Sequence, residues 1–287
     1  MKTNLVKYII ASLMLLTLYC YADAQELPFK GGEKLNYVVH YQWGINADLA
    51  GLELTCTEET FAGKPCFHVR GNAYTYRFWD SFYKIRDVYE CKFSPDVEMT
   101  PYMYHRDVNE GKYWSKNTYV WSGDGSSIKV DITKSTKPPV DTTYREDVSI
   151  RDMVNIIYYM RTRDLNAVGT SEVITCVADR DILDLKIRII GKETVELKGL
   201  GNVETVKVGV AISSRKQFSY VEHDGVQLDV QNSEGTFFGG EKVFIWYSLD
   251  GNKAPVLFAA PLKVGTFKGR LSSYEGNKYP FNVVAND

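Results

Sequence analysis

Three carboxylic acids, Asp80, Asp87 and Glu90, lie among seven aromatic rings between residues 72 and 90, in the stretch NAYTYRFWDSFYKIRDVYE. Two carboxyl groups about 5 to 9 Å apart can hydrolyse a glycosidic bond. Aromatic rings beside them would suit a sugar, although loop carboxylates that only meet solvent are commoner. The stretch therefore raises two hypotheses, a ligand site walled by aromatic rings and the ordinary interior of a β-sheet.

Other residues with catalytic potential form no recognisable constellation. The four histidines stand singly in the sequence, and they are His40, His68, His105 and His223. Neither an H-E-x-x-H nor an H-x-H pattern occurs, and the glycine loops match no phosphate-binding fingerprint. A G-x-S-x-G nucleophile turn is also missing from the sequence. We therefore expect no cofactor and no metal, and a binding protein rather than an enzyme.

Alternation divides the aromatic stretch into two strands joined near residues 79–82. Tyr74, Tyr76 and Phe78 share one face of the first strand, and residues 83, 85, 87, 89, 91 and 93 share one face of the second. This pattern predicts that most of the rings face a core. Trp79 and Phe82 are the exceptions, because large aromatic residues at a turn must cover something. The predicted ligand-binding residues are Tyr76, Phe78, Trp79, Phe82, Tyr83 and Asp87.

The N-terminus predicts export. Lys2 and Lys7 precede an apolar run, and Ala22-Asp23-Ala24 forms a small-x-small cleavage site, so residues 1–24 are predicted to be a signal peptide. Cys20 could suggest a lipoprotein signal, but Tyr19 stands where that peptidase requires a small residue. The apolar run is shorter than the roughly 20 residues that cross a membrane, and no later segment approaches that length. We expect a periplasmic or outer-envelope location for residues 25–287.

Charge and cysteine content restrict the partners and the covalent chemistry. The chain has 34 Lys plus Arg against 36 Asp plus Glu, without a basic patch, so nucleic acid is not an expected partner. Four cysteines follow the signal peptide, namely Cys56, Cys66, Cys91 and Cys176. Cys56 and Cys66 flank a predicted hairpin and could form a disulfide, and buried free thiols are the equally good alternative.

The remaining pattern is typical of antiparallel β-structure with one helix. Strands are predicted before the helix at 34–42, 48–59, 66–77, 82–93, 100–108, 112–121 and 127–132. Strands are predicted after it at 171–178, 183–190, 194–198, 204–212, 242–248, 254–260 and 265–274. Apolar residues at helical spacing predict a helix over residues 147–162, capped by Asp147 or Ser149. The segment 133–146 contains Pro138-Pro139 and is predicted to be an exposed linker.

This pattern predicts a strongly curved antiparallel sheet or open barrel, with two half-sheets as an alternative, and the helix packed against it between two β halves. The polar stretch 213–235 is predicted to be a long excursion or an extra hairpin.

The order of several blocks resembles the bacterial domain-of-unknown-function family number 3108. The blocks are PFKGGEKLNYVVHYQWG at 28–44, ADLAGLEL at 47–54, YKIRDVYE at 83–90, REDVSIRDMVNIIYYMRTRDL at 145–165 and VFIWYSLDGNKAPVLF at 243–258. The resemblance implies an exported protein of Gram-negative bacteria, and it carries over no catalytic residue. The expected architecture is also similar to that of the periplasmic lipoprotein carriers, whose curved sheet wraps a helix or an apolar ligand.

Three functions follow as hypotheses. The first is a non-catalytic envelope protein that binds an apolar or amphipathic molecule, such as a lipid or a lipoprotein acyl chain, on a concave β surface. The second is a glycan-binding or glycan-active protein that uses Asp80, Asp87 or Glu90 with Trp79 and Tyr83. The third is a scaffold that contacts another envelope protein through residues 213–235.

Overall fold

β-strands make up most of the computed structural model, which describes residues 26–43, 45–145, 148–217, 243–261 and 265–284. The first eight strands are β1 Lys34–Trp43, β2 Ile45–Phe61, β3 Lys64–Thr75, β4 Arg86–Phe93, β5 Pro101–Glu110, β6 Tyr113–Trp121, β7 Ser127–Lys134 and β8 Lys137–Arg145. A short strand β9, Ile150–Asp152, leads into helix α1, Met153–Tyr159. The later strands are β10 Ser171–Ala178, β11 Asp181–Leu197, β12 Gly201–Gln217, β13 Val243–Ser248, β14 Pro255–Pro261, β15 Thr266–Glu275 and β16 Val283–Val284.

The strands form one hydrogen-bonded sheet, in the order β8-β7-β6-β5-β4-β3-β2-β1-β15-β14-β13-β12-β11-β10-β9, with β16 beside β12. Strand β1 pairs antiparallel with both β2 and β15, so it joins the earlier and later strands in the middle of the sheet. Within the described residues the path ends at β8 and β9 without closing into a barrel. The predicted fold class, a curved antiparallel sheet with one main helix, is confirmed.

Helix α1 has two apolar faces, and each packs against a different part of the sheet. Val154 and Tyr158, four residues apart, join a core formed with strands β2 to β8. Ile156, together with Met160 in the 3₁₀ turn after the helix, joins a second core formed with β10 to β13. Residues four apart lie on one side of a helix, so this spacing presents an apolar stripe to each core. No helix in the described ranges is long and apolar enough to cross a membrane.

The helix is shorter than the predicted range 147–162, and its cap is a different residue. Asp152 caps it, and its Oδ1 accepts hydrogen bonds from the backbone amides of Val154 and Asn155 at 2.9 and 2.8 Å. Residues 150–152 pair parallel to β10, so the chain is still extended where the pattern predicts helix. Of the two predicted caps, Asp147 lies outside the described residues and Ser149 precedes the strand.

The predicted linker at 133–146 is wrong, since Lys137–Arg145 forms strand β8. Among the described residues β8 pairs only with β7, so it is an edge of the described sheet. Proline has no amide hydrogen, but an edge strand leaves one side of its backbone unpaired and can contain it. Pro138-Pro139 therefore lies in an edge strand and not in a linker between two parts of the sheet.

Two strand boundaries also differ from the prediction. The strand predicted from Phe82 begins at Arg86, because residues 76–85 form a compact connection with a 3₁₀ turn at Trp79–Ser81. Two strands predicted at 183–190 and 194–198 are one strand, β11, with a register shift between Ile189 and Gly191. Most of the predicted excursion 213–235 lies outside the described residues, and residues 213–217 belong to β12.

The four described cysteines are buried free thiols, so the disulfide considered between Cys56 and Cys66 is not formed. Register explains this outcome. Cys56 lies opposite Val69, whereas Cys66 lies opposite Glu59 three residues further along β2. Disulfide bonds need Cα atoms within about 7 Å, and this stagger does not bring the two together.

Candidate functional site

The connection between β3 and β4, residues 76–85, is fixed by polar contacts at several points. Asp80 forms a two-point ion pair with Arg86, at 2.6 and 3.0 Å, and also accepts from the hydroxyl of Thr75. The indole of Trp79 donates to the carbonyl of Asp48 at 3.0 Å, and the amide of Tyr76 donates to that of Leu49 at 2.9 Å. These contacts hold the connection against strand β2.

This connection carries an aromatic patch, which consists of Phe78, Trp79, Phe82 and Tyr83. Phe78 is 69% exposed, Phe82 73% and Tyr83 50%. The rings touch one another, with centroids 5.0 Å apart for Phe78 and Trp79 and 5.8 Å apart for Phe78 and Phe82. The patch thus places large apolar surface in solvent on a rigid support.

The face assigned to the first strand of this stretch is wrong. Thr75 is buried and Tyr74 is exposed, so the rings at 74 and 78 do not face the core. The ring of Tyr74 lies over Gly51 on β2, where a Cβ atom would come within 2.7 Å of it. On the second strand the prediction of a common face is confirmed from Asp87 onward, since Asp87, Cys91 and Phe93 are buried and Val88 and Glu90 are only half-buried.

Beside the patch, the inner face of β4 and β5 carries a carboxyl pair, Asp87 and Glu110, whose charges interact. Tyr89 donates to Asp87 Oδ2 at 3.2 Å, and the amide of Asn109 donates to Asp87 Oδ1 at 2.9 Å. Burial raises the pKa of both carboxyl groups, and the charge of Asp87 raises that of Glu110 further. Neighbouring carboxyl groups disfavour each other's ionisation.

Arg106 lies next to this pair, opposite Tyr89 in the β4–β5 register. Its side chain is 20% exposed, and its one ion pair among the described residues is with Asp179 at 3.7 Å. Asp179 is held more closely by others, since Lys134 donates to it at 2.6 Å and Asn117 at 3.1 Å. The guanidinium makes no hydrogen bond within the described part of the chain, although it has five donors. Arg106 is therefore a partly exposed cation whose guanidinium still has unused hydrogen-bond donors.

These residues form a polar cluster at one end of the inner face of β4 to β7. Its members are Asp87, Tyr89, Arg106, Glu110, Lys134 and Asp179. The other end of the same strands is apolar and lies under helix α1, where Phe93, Tyr104, Tyr119 and Trp121 are buried. The polar cluster is thus the part of this inner surface that the helix does not cover.

Tyr83 connects the aromatic patch with the polar cluster. Its hydroxyl donates to Glu110 Oε2 at 3.4 Å, and its ring approaches Gly111, which has φ of +61° in the β5–β6 turn. The amide of Gly111 donates to the carbonyl of Lys84 at 2.8 Å. The patch and the cluster therefore form one continuous surface, apolar on the outside and charged towards the inside.

The structure brings the six predicted ligand-binding residues together. It gives the other two candidate carboxyl groups, those of Asp80 and Glu90, different partners. Tyr76, Phe78, Trp79, Phe82, Tyr83 and Asp87 all lie in the patch or beside it. Asp80 is bound to Arg86, and Glu90 is on the opposite face, where it pairs with Arg70 at 2.5 Å. Asp87 therefore has Glu110, and not Asp80 or Glu90, as its neighbouring carboxyl group.

The histidines lie elsewhere on the sheet. His68 contacts Glu59 at 2.8 Å, His105 contacts Thr118 at 3.0 Å and His40 contacts Asp48 at 3.0 Å. His223 is outside the described residues. No group of three His, Cys, Asp or Glu side chains in the described ranges has the arrangement of a metal site.

Sequence reasoning missed Arg106, Glu110, Lys134 and Asp179. A signal for two of them exists, because Tyr104, Arg106, Val108 and Glu110 alternate and therefore share one face of β5. Tyr104 and Val108 are apolar and inward, which places Arg106 and Glu110 inward as well. Lys134 comes from the end of β7, and Asp179 comes from the turn between β10 and β11. No local sequence pattern indicates that either residue joins the cluster.

Solved structures define the fold class to which this open sheet belongs. The chain is similar to the crystal structure of a beta-barrel-like protein of domain of unknown function DUF1849 from Brucella abortus, with 8% identity and a TM-score of 0.51 over 88% of this chain and 100% of that one. A second match, a protein provisionally described as a lipoprotein from Parabacteroides distasonis, has 10% identity and a TM-score of 0.32 over 87% of this chain and 99% of that one. The first likeness supports a beta-barrel-like fold.

The family follows from the sequence model that matches residues 36–272, described as protein of unknown function (DUF3108). Because this range is most of the chain, the protein belongs to the DUF3108 family, as the order of its sequence blocks predicts. A search of curated proteins found no match to the chain.

Proposed function

We propose that the protein is an exported, non-catalytic envelope protein that binds an amphipathic, anionic molecule where the aromatic patch meets the polar cluster. The observation that carries this proposal is Arg106, a partly open cation with no hydrogen bond among the described residues. A guanidinium next to apolar surface is suited to a ligand that has an acidic group at one end and an apolar body.

The acidic group of the ligand would bind Arg106. Its planar fork of N–H donors matches two oxygens of a carboxylate or a phosphate, and such bonds are stronger than neutral ones. Lys134 strengthens the local positive potential but is already bound to Asp179.

The apolar part of the ligand would lie on the aromatic patch. Phe78, Phe82 and Tyr83 provide exposed rings, and the fixed connection needs no reordering to present them. A preformed surface binds with a smaller entropic cost than a flexible one. The apolar end of the inner surface is not available in the same way, because α1 and Phe29 fill it.

Native mass spectrometry of the full mature chain, purified from the envelope without detergent exchange, tests this proposal. We expect a fraction of the protein to carry an acidic adduct of lipid mass. Arg106→Gln should lower that fraction about 10- to 100-fold, since one or two charge-assisted hydrogen bonds are lost. Arg188→Gln, which changes an exposed arginine on β11, is the matched control and should keep the adduct. A clean apo mass, or an adduct unaffected by Arg106→Gln, would contradict the proposal.

A second candidate, a glycan-binding protein, is favoured by the carboxyl pair with Tyr83 and Tyr89 beside it. The carboxyl oxygens of the pair can accept hydrogen bonds from sugar hydroxyls, which supports sugar binding. A glycan array read with the native chain and with Asp87→Asn would distinguish the candidates, because a sugar bound through Asp87 is lost in the variant.

A further inference from the structure

The surroundings of the aromatic patch point to a use beyond the binding of a single ligand. Arg77, Lys84 and Lys112 are exposed cations close to the patch in the chain or across the Lys84–Gly111 hydrogen bond. None of them has an ion pair in the part of the chain that the structure describes. The carboxylate of Asp80 is taken by Arg86, and those of Asp87 and Glu110 lie in the polar cluster. The solvent-facing charge around the rings is therefore positive.

We propose that the aromatic patch, with Arg77, Lys84 and Lys112 around it, docks the protein on the surface of an anionic lipid membrane. Aromatic rings favour the level of the lipid headgroups, because their apolar bodies enter the boundary while polar edges stay in water. Lysine and arginine near a membrane surface are attracted by anionic lipids. The patch combines both features on one fixed connection.

The size of the patch favours a membrane over a protein partner. Three rings of about 200 Å² each, half to three-quarters exposed, provide roughly 400 Å². A stable protein–protein interface buries about 800 Å² on each partner. A membrane needs no matching shape, and the strength of binding to it scales with the buried apolar area plus the attraction of cations to anionic lipids.

This inference extends the proposed envelope function, but it does not require Arg106. Docking uses the exposed rings and cations, whereas ligand capture also requires Arg106 of the inner polar cluster. A protein that docks on a membrane through the patch would have its polar cluster close to the lipid headgroups, because Tyr83 belongs to the patch and contacts Glu110. The two steps can therefore be separated by variants.

Co-sedimentation of the full mature chain with vesicles tests the docking. One vesicle set contains phosphatidylcholine alone, and the other contains 30% phosphatidylglycerol. We expect at least tenfold stronger partitioning onto the anionic set, with a decrease as salt is raised. Lys84→Ala should weaken it about fivefold, which corresponds to about 1 kcal/mol per charge near the surface. Lys129→Ala, at an exposed position on β7, is its control and should change nothing.

The rings are tested by the double change Phe78→Ser/Phe82→Ser, which should lower partitioning onto anionic vesicles at least tenfold. Val173→Ser is the matched control, since Val173 is 64% exposed on β10. All variants change exposed positions, and circular dichroism checks that they are folded. Equal binding to both vesicle sets, or full binding by the double variant, would overturn the proposal.

Two further outcomes separate this inference from others. Arg106→Gln should keep vesicle binding while it loses the ligand adduct, so that capture is lost without docking. If the patch were instead covered by a second copy of the chain, sedimentation velocity would show a dimer that Phe78→Ser/Phe82→Ser dissociates. That result would also overturn membrane docking.

Discussion

Two arginines lie inside the same sheet, and their surroundings are opposite. Arg161 is completely buried and forms a two-point ion pair with Glu33, at 2.6 and 2.7 Å. It also donates to the carbonyls of Asn252 and Pro28, and its guanidinium lies over the rings of Phe29 and Tyr158. Arg106, in contrast, has a single ion pair at 3.7 Å and no hydrogen bond among the described residues.

This difference distinguishes an arginine that stabilises the fold, Arg161, from one whose guanidinium can still bind a ligand, Arg106. Arg161 joins the segment before β1, the end of the helix and the β13–β14 turn, and nearly all of its donors are used. A buried charge whose partners are complete stabilises one arrangement of the chain. An inward-facing arginine whose single ion pair is long contributes little to stability, so the place of Arg106 in the polar cluster is better explained by binding.

The largest expected effect is the loss of the Arg161 contacts. Arg161→Met keeps the apolar stem but leaves Glu33 as a buried, unpaired charge, which should lower the free energy of unfolding by about 3–5 kcal/mol. Urea denaturation measures this value. The control Arg163→Met removes an exposed ion pair with Glu172 and should cost less than about 1 kcal/mol. Adding Glu33→Gln to Arg161→Met should recover part of the lost stability. Equal losses for Arg161→Met and Arg163→Met would contradict the structural role of Arg161.

A pH-dependent effect is expected at Asp152. Burial raises its pKa to about 7, and its Oδ2 has no hydrogen-bond partner among the described residues. The folded chain therefore binds a proton more tightly than the unfolded chain. Its contribution to stability is complete below pH of about 4 and is lost as pH rises through 7, roughly 2–4 kcal/mol in total.

Asp152→Asn keeps an acceptor oxygen for the cap and removes this titration. Urea denaturation from pH 5 to 8 should show the variant gaining stability relative to the native chain as pH rises. Asp141→Asn, at an exposed position on β8, should follow the native curve. If the native and Asp152→Asn curves ran parallel, the carboxyl group would be ionised throughout this range.

A smaller effect on stability is expected for Arg106→Gln, which tests directly whether Arg106 differs from Arg161. The variant loses no hydrogen bond, and Asp179 keeps its contacts with Lys134 and Asn117. Its free energy of unfolding should change by less than about 1 kcal/mol. A loss as large as that of Arg161→Met would mean that Arg106 is a structural residue, and the proposed binding role would lose its support.

The smallest effect is expected for the aromatic patch. Phe78→Ser/Phe82→Ser should leave the free energy of unfolding within about 0.5 kcal/mol, because both rings are mostly in solvent. Phe93→Ala, which removes a completely buried ring, is the contrasting variant and should cost about 3–5 kcal/mol. Strong destabilisation by the double serine change would show that the patch covers part of the chain.

Much of the fold follows from local pattern, and most of the candidate site does not. Alternation places the majority of the strands correctly, and the helical spacing of Met153, Val154, Ile157 and Met160 locates the helix. Boundaries fail where local signals are ambiguous. Ile150 fits the helical spacing of Met153 and Val154, although residues 150–152 are extended. A diproline looks like a linker unless the strand is known to be an edge.

The site is less predictable because register and distant turns assemble it. Thr75 is buried and Tyr74 exposed because the pairing of β3 with β2 and β4 decides the faces, and the polarity of the side chains suggests the reverse. Asp179 reaches Lys134 from a turn 45 residues later in the chain. A prediction from sequence alone can name Asp87 but cannot supply its neighbours.

The shared helix also determines how the chain unfolds. Helix α1 places Val154 and Tyr158 in one core and Ile156 in another. Both cores are therefore exposed to water when α1 detaches from the sheet. We therefore expect cooperative melting in a single transition, and fragments cut between β8 and β10 that aggregate rather than fold. A sheet of this length behaves as one folding unit because a helix of two turns belongs to two of the three apolar cores that the described residues form.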